Sequence, residues 1–374
     1  MSVPLVPLVA TDLGAGPGAL GILFSIATTA SLIGTLPAGR LVTRLGSRSM
    51  MFVALGLTSA SCFFLFVSPT MVSLLIGFSL VELGRSIFVV SSQTHAGALP
   101  AAGDVSVNFG RYGVAAAVGQ LLGPAAAGII MDTMGSRYTW LVMGGLCLGL
   151  CATLCHLIGR GYRLPPGQGT ERARREGSPK HPGLRRFFTF HAVLGILASV
   201  IIVFTVGMRR IFYPIYVRQL GYTASMIGLM LSVRALTSVL ARLFIMPISR
   251  LLGGRQATLL ICMFALAVGL GTIPWCRGIP GLIINSILIG LGLGLAMPLS
   301  QATVFESVDS SERGLALGVR LTGNRLAQLF NPLLFGLLTQ WFGISVSFWS
   351  GGALLLAVSL SVLLMVTRRS QRPG

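Results

Sequence analysis

The chain has 374 residues, 53% of them hydrophobic and 10% charged, with 48 glycines and a mean hydropathy of +0.84. That composition excludes an ordinary soluble domain and reads as a polytopic membrane protein. Twenty-eight Lys and Arg stand against nine Asp and Glu, a formal net charge of +19; in a soluble protein this would suggest nucleic acid, but here the basic residues sort by position along the chain and nucleic acid is set aside as a partner.

Apolar segments long enough to cross a hydrocarbon core of about 30 Å fall at 18–39, 49–67, 71–93, 110–131, 138–158, 187–208 (extending towards 217), 223–249, 256–275, 279–303, 313–340 and 345–367. They predict eleven complete spans. Seventeen of the 28 Lys and Arg lie on one set of alternate connections and tails: Arg40, Arg44 and Arg48, the run from Arg160 to Arg186, Arg250 and Arg255, Arg313, and Arg368, Arg369 and Arg372. Only Arg137, Arg218 and Arg277 lie on the other set. By the positive-inside rule the first set is cytoplasmic, which puts the central linker and the C-terminus inside.

The stretch GRGYRLPPGQGTERARREGSPKHPGLRR, residues 159–186, is polar and rich in Pro and Gly, and reads as a flexible basic linker. It serves as an orientation signal, with headgroup binding as the alternative. The expected organisation is a transmembrane bundle over 1–158, the linker over 159–186, and a second bundle with a short cytoplasmic tail over 187–374.

The two halves resemble each other. A slide of 207 residues aligns Pro7 with Pro214, Gly14 with Gly221, Gly21 with Gly228, Ser25 with Ser232, Ser31 with Ser238, Gly46 with Gly253 and Arg48 with Arg255. A slide of 208 aligns Ser92 and Gln93 with Ser300 and Gln301, Gln120 with Gln328, Pro124 with Pro332, Gly128 with Gly336 and Gly135 with Gly343. Duplication about a basic linker is the pattern of a secondary transporter built from two parallel repeats. On this register MSVPLVPLVATDLG is the outer end of a first span whose earlier half, matched by 187–206, precedes Met1. The sequence predicts a truncation or, preferred here, a wrongly assigned start. No signal-peptide pattern is evident.

At this point the chain resembles the major facilitator superfamily over nearly its whole length. The most specific element is GRLVTRLGSRS, where Gly39, Leu41, Arg44, Gly46 and Arg48 fall on the family's positions for the connection between its second and third helices. Thr43 stands where the family usually has an aspartate. A second element, GQLLGPAAAG, carries Gly119, Gly123, Pro124 and Gly128 and looks like a glycine-proline motif frequent in the superfamily's exporters, with Ala127 in place of one closing glycine. The resemblance implies an all-α fold of two pseudo-symmetric six-helix bundles, alternating access, and gating or conformational roles for these residues. In physical terms the small residues permit tight turns and close helix approach, and proline permits a bend.

Eight arginines remain inside or near the ends of spans. Arg85, Arg234 and Arg325 fall near span centres, Arg209 and Arg210 in an outer part, and Arg111, Arg242 and Arg320 nearer cytoplasmic ends. Glu82 is the deep acid. One carboxylate does not neutralise three midplane guanidiniums, and lipid exposure of any is costly, so they are expected to face water, partners or substrate. The superfamily architecture implies that their spans border a central cavity. Arginine stays protonated and grips carboxylates and phosphates with a planar fork, so the expected substrate site is Arg85, Arg234, Arg325 and Arg210 with Gln93 and Gln301. Tyr213, Tyr216, Asn324 and Gln328 are further candidates, with interhelical hydrogen bonding as their other reading. Glu82 is either the proton-coupling group or a permanent i,i+3 partner of Arg85.

Other chemistry is thin. The four histidines form no metal cluster, Cys147, Cys151 and Cys155 line one helix face as small apolar packing, and GLGLGLAMP at 290–298 lacks the context of a nucleotide loop. VDSSERG reads as a helix start capped by Asp309 with Glu312 following. The expectation is a monomeric, cofactor-free transporter in the bacterial plasma (inner) membrane, its partners the bilayer, protons and a small solute. Proton-coupled efflux of an organic, anionic or amphiphilic solute is the first reading, uptake by proton symport or anion exchange the second, and a membrane-embedded enzyme the remote third.

Overall fold

The computed structural model describes residues 2–98, 105–159, 190–306 and 313–370. The basic linker and the expected cap at Asp309 lie outside the described residues. Helices account for nearly all of what is described: α1 Ser2–Asp12, α2 Pro17–Leu45, α3 Ser47–Val67, α4 Met71–Ala98, α5 Val105–Met134, α6 Ser136–Gly159, α7 Phe190–Gln219, α8 Ala224–Leu243, α9 Ile245–Leu251, α10 Arg255–Gly271, α11 Ile279–Glu306, α12 Arg313–Phe342 and α13 Ile344–Ser370. A bilayer offers backbone amides no hydrogen-bond partner, so long apolar runs satisfy them internally as helices.

Among the described residues, nine helices are long and apolar enough to cross a membrane, against eleven expected. The difference has two causes. At 17 residues, α10 passes the length test only together with α9, and α12 is diluted by Arg320, Asn324, Arg325, Gln328, Asn331 and Gln340. The expected span at 223–249 also stops early, at Leu243. Pro247 has no amide hydrogen and its ring clashes with the carbonyl of residue 243, so the ladder breaks at Phe244.

The chain forms two compact units. The first holds Met1–Ala15, Ile22–Ser178 and Thr223–Ser225; the second holds Gly16–Gly21, Pro179–Tyr222 and Met226–Gly374. In the first, Phe24 meets Phe78 edge-on at 5.0 Å, and Val42, Met50, Ala54 and Ile87 form a smaller cluster. In the second, Phe204 meets Phe335 at 5.1 Å and Tyr216 meets Phe348 at 5.9 Å.

Backbone geometry carries the repeat as well as sequence does. Among the described residues seven glycines have positive φ, and six of them form repeat pairs: Gly14 with Gly221, Gly46 with Gly253, Gly135 with Gly343. The helix ends at Gly14 and Gly221, and those at Gly135 and Gly343, are closed alike. The amide of Ala15 donates to the Ala10 carbonyl as that of Tyr222 donates to Val217, the long bond of a left-handed glycine cap.

Close approaches repeat too. A Cβ added to Gly144 would lie 3.4 Å from the Ser59 carbonyl; one added to Gly352, 208 residues later, would lie 3.1 Å from that of Ala267, itself 208 residues after Ser59. Within the first unit Gly128 abuts the Ala224 carbonyl, while Gly336 meets Pro17 and Gly21 within the second. Asp132 caps α8 by accepting hydrogen bonds from the amides of Ala224 (3.0 Å) and Ser225 (2.6 Å). Its repeat counterpart Gln340 lies against Gly18 at the start of α2.

These contacts separate packing glycines from spare ones. A Cβ at Gly352 would sit 2.5 Å from the Gly271 Cα, whereas one at Gly119 meets nothing within 4 Å. Gly352→Ala is expected to destabilise by about 1–3 kcal/mol through overpacking, and Gly119→Ala to be neutral or stabilising by up to about 1 kcal/mol. Thermal unfolding of the two purified variants in detergent checks the order.

Candidate transport site

Glu82 and Arg85 lie one turn apart on α4. Both Nη2 (2.7 Å) and Nε (3.0 Å) of Arg85 donate to the same oxygen, Oε2, of Glu82. The two ends of the pair differ in setting: the Glu82 side chain is 5% exposed and that of Arg85 51%. Ser86, next along α4, hydrogen-bonds Ser31 of α2. Burial of the acid is thus matched by the ion pair, while the guanidinium keeps an open flank.

In the second unit the arginines divide. Arg209 of α7 is wholly buried. Its Nη1 donates to Asn285 Oδ1 at 3.0 Å, its Nη2 to Ser286 Oγ at 3.2 Å, and its guanidinium lies 4.1 Å from the Tyr213 ring centroid. Asn285 in turn donates to the Gly269 carbonyl at 2.6 Å. The cation therefore ties α7 to α10 and α11 through neutral groups and an aromatic face, where cation–π attraction gains from desolvation. Its Nε meets no hydrogen-bond partner among the described residues.

Arg234 on α8 and Arg325 on α12 are both half-buried. Arg325 donates to Gln328 on its own helix at 3.4 Å. Arg210 is half-buried beside Arg209 on α7. Gln93 and Gln301, the repeat pair, are exposed at corresponding places on α4 and α11. The neighbouring Ser300 is fixed to the Gly195 carbonyl at 2.8 Å.

Several other polar and aromatic side chains make contacts between helices. Tyr213 packs on Arg209, and Tyr216 donates to the Pro274 carbonyl at 3.0 Å. Asn324 accepts from Ser199 at 2.6 Å, and Asn331 donates to the Phe204 carbonyl at 2.8 Å, so α12 turns a polar stripe toward α7. Sequence reasoning left Arg209 out of the site, and its signal was available. Arg209, Tyr213 and Tyr216 recur at helical spacing and share one face of α7.

The motif residues are dispersed. GRLVTRLGSRS is not an extended connection: α2 runs to Leu45, Gly46 alone turns the chain at φ 86°, and α3 starts at Ser47. Gly39 lies within α2. Arg44 is exposed in the last turn of α2, where a cation complements the helix dipole. Arg48 is half-buried, and Ser47 beside it meets His95 Nδ1 at 3.2 Å. Gly123 and Pro124 lie inside α5, which stays helical through the proline.

With these positions fixed, the chain can be set beside known proteins. The sequence model of the Major Facilitator Superfamily matches residues 1–212 and 195–374, which together take in the whole chain. The chain belongs to the major facilitator superfamily. A point mutant of the nucleoside transporter NupG superposes with a TM-score of 0.79 over 97% of this chain and 94% of its own, at 12% identity, a likeness of fold alone. Relatives include a protein named multi-drug resistance efflux pump PmrA homolog of Lactococcus lactis, 29% identical over 41% of this chain and 39% of its own length. Another is named multidrug resistance protein MdtG, of Citrobacter koseri, 30% identical over 43% of this chain and 40% of its own. The chain thus spans about two fifths of the length of the curated relatives it matches. Superfamily membership sets it among multi-pass membrane transporters and sets the enzyme alternative aside.

The contrast between adjacent arginines is measurable. Arg209→Gln takes donors from Asn285 and Ser286 in a dry site, at about 1–3 kcal/mol for each group left unsatisfied. Arg210→Gln, on a half-buried position, is expected to lower the unfolding temperature by clearly less, and thermal unfolding of the pair decides it.

Proposed function

We propose that this superfamily member is a proton-linked secondary transporter of a small organic solute that carries an anionic group, working in a bacterial inner membrane with its basic linker and C-terminus in the cytoplasm. The observation that carries the reading is the unbalanced cation charge in the second half. Arg209, Arg210, Arg234, Arg242, Arg320 and Arg325 lie in helices of that half, yet no Asp or Glu occurs between Glu176 and Glu306, and the last acid is Glu312. Arg209 is occupied by neutral scaffold partners. Arg234 and Arg325 keep part of their surface open and are the groups we assign to the solute, with Arg210 and Gln301 of the same unit as accessory contacts. Arginine recognises carboxylate and phosphate in bidentate fashion, and a charge-assisted bond contributes about 1.5–3 kcal/mol.

Glu82 is the group we assign to the proton. Protonation would neutralise the oxygen that holds both Arg85 donors and free that guanidinium. Deprotonation would restore the pair. Export is the direction supported by the names of the relatives, both described as drug-resistance proteins. A second reading, uptake, is supported by the ion pair itself. If an anion takes the place of Glu82 on Arg85, then proton and solute favour each other's binding, which is the logic of symport; export against a proton would require that they exclude each other. Solute charge and direction are therefore linked.

Two outcomes follow. Arg234→Gln and Arg325→Gln should each weaken solute binding by roughly tenfold or more; a cationic solute bound better by these variants would contradict the anion assignment. Glu82→Gln should retain solute binding and exchange but lose movement driven by a pH gradient in proteoliposomes. The same assay on the unaltered chain reads direction: solute that accumulates on the alkaline side indicates symport, and solute that accumulates on the acidic side indicates antiport.

A further inference from the structure

The repeat fails at one place, and the failure has a physical cause. Residues 38–44 continue α2 without a break to Leu45. Their counterparts, 245–251, form the separate helix α9, because Pro247 stands where the first half has Arg40. The axis of α9 is turned 95° from that of α10. A helix perpendicular to a span lies close to the membrane plane.

Its surroundings match that position. No residue of α9 is buried. Leu243 (70% exposed), Phe244 (57%), Met246 (64%) and Leu251 (85%) present apolar surface, and Arg242, Arg250 and Arg255 are exposed alongside. A seven-residue helix has little intrinsic stability in water, and these apolar side chains would be poorly placed there. No carboxylate lies between Glu176 and Glu306 in the sequence, so the charged residues of this segment are all basic.

We infer that residues 242–255 form an interfacial anchor that binds the headgroups of anionic phospholipids. Leu243, Phe244, Met246 and Leu251 enter the boundary between headgroups and acyl chains, as on an amphipathic surface helix. Arg242, Arg250 and Arg255 meet lipid phosphates, by the same attraction that draws basic segments to anionic leaflets. The glycines after α9, Gly253 at φ 83° and Gly254 at φ 99°, let the chain turn from the membrane plane into α10. The anchor is independent of the solute and of the transport direction.

The test titrates short-chain phosphatidylglycerol, and separately phosphatidylcholine, into the purified full chain in detergent while its thermal unfolding is followed. Phosphatidylglycerol should raise the unfolding temperature saturably and phosphatidylcholine should not. Replacing Arg242, Arg250 and Arg255 by Gln should weaken the apparent affinity roughly fivefold for each arginine removed, whereas Arg44→Gln/Arg48→Gln should leave it unchanged. Hydrogen exchange over 243–252 should slow in phosphatidylglycerol alone, which localises the effect even if a variant is less stable. The inference is overturned if the two lipids act alike, if the triple variant keeps the unaltered response, or if soluble glycerol phosphate gives the same shift, which would indicate an ion site in place of a membrane surface.

Discussion

Charge has no comfortable place in hydrocarbon, and this constraint orders the molecule. A guanidinium or carboxylate at mid-span costs several kcal/mol unless it is paired, hydrogen-bonded or wet. The chain meets that demand in three ways. Glu82 is buried and takes two bonds from one arginine on its own helix. Arg209 is buried without a carboxylate, held by an amide, a hydroxyl and a tyrosine face. Arg234 and Arg325 are neither buried nor placed beside an acid in sequence, and their open surface is the origin of the anion assignment.

The scaffold that holds these charges is one pattern used twice. Small residues matter most where backbones touch, and those positions recur at a shift of 208: Gly144 beside Ser59 and Gly352 beside Ala267, Gly128 and Gly336 at their own partners. Helix ends recur in the same way through left-handed glycines. Asp132 and Gln340 show how the copies have diverged, since both lie against a helix start but only the first brings a charge to it.

Most of the fold was legible in the sequence because its signals are local. Apolar run length gives the spans, and glycine with a constant offset gives the repeat. Pro247 was readable too, yet the uninterrupted apolar run from 223 to 249 hid the break, since hydropathy does not register a missing amide hydrogen. The weak apolar character of α12 has a tertiary explanation: Asn324 and Asn331 point to α7, where they bond Ser199 and the Phe204 carbonyl. The candidate site was legible only by residue type. Depth along a span identified Glu82, Arg85, Arg234 and Arg325, but the difference between Arg209 and Arg210 depends on which face of α7 meets α11, and two adjacent arginines give no hint of that by themselves. Tyr213 and Tyr216, which share that face, make the interhelical contacts that residue type alone leaves open.

The central claim is that part of the second unit's arginine charge faces water and attracts anions. The most direct measurement places a single cysteine at Gln328, one turn from Arg325, in a chain stripped of its six native cysteines, and compares rates of modification by anionic and cationic thiosulfonates of equal size. The account predicts faster reaction with the anionic reagent, and loss of that preference when Arg325→Gln is added. Faster reaction with the cationic reagent, or no reaction with either, would contradict it.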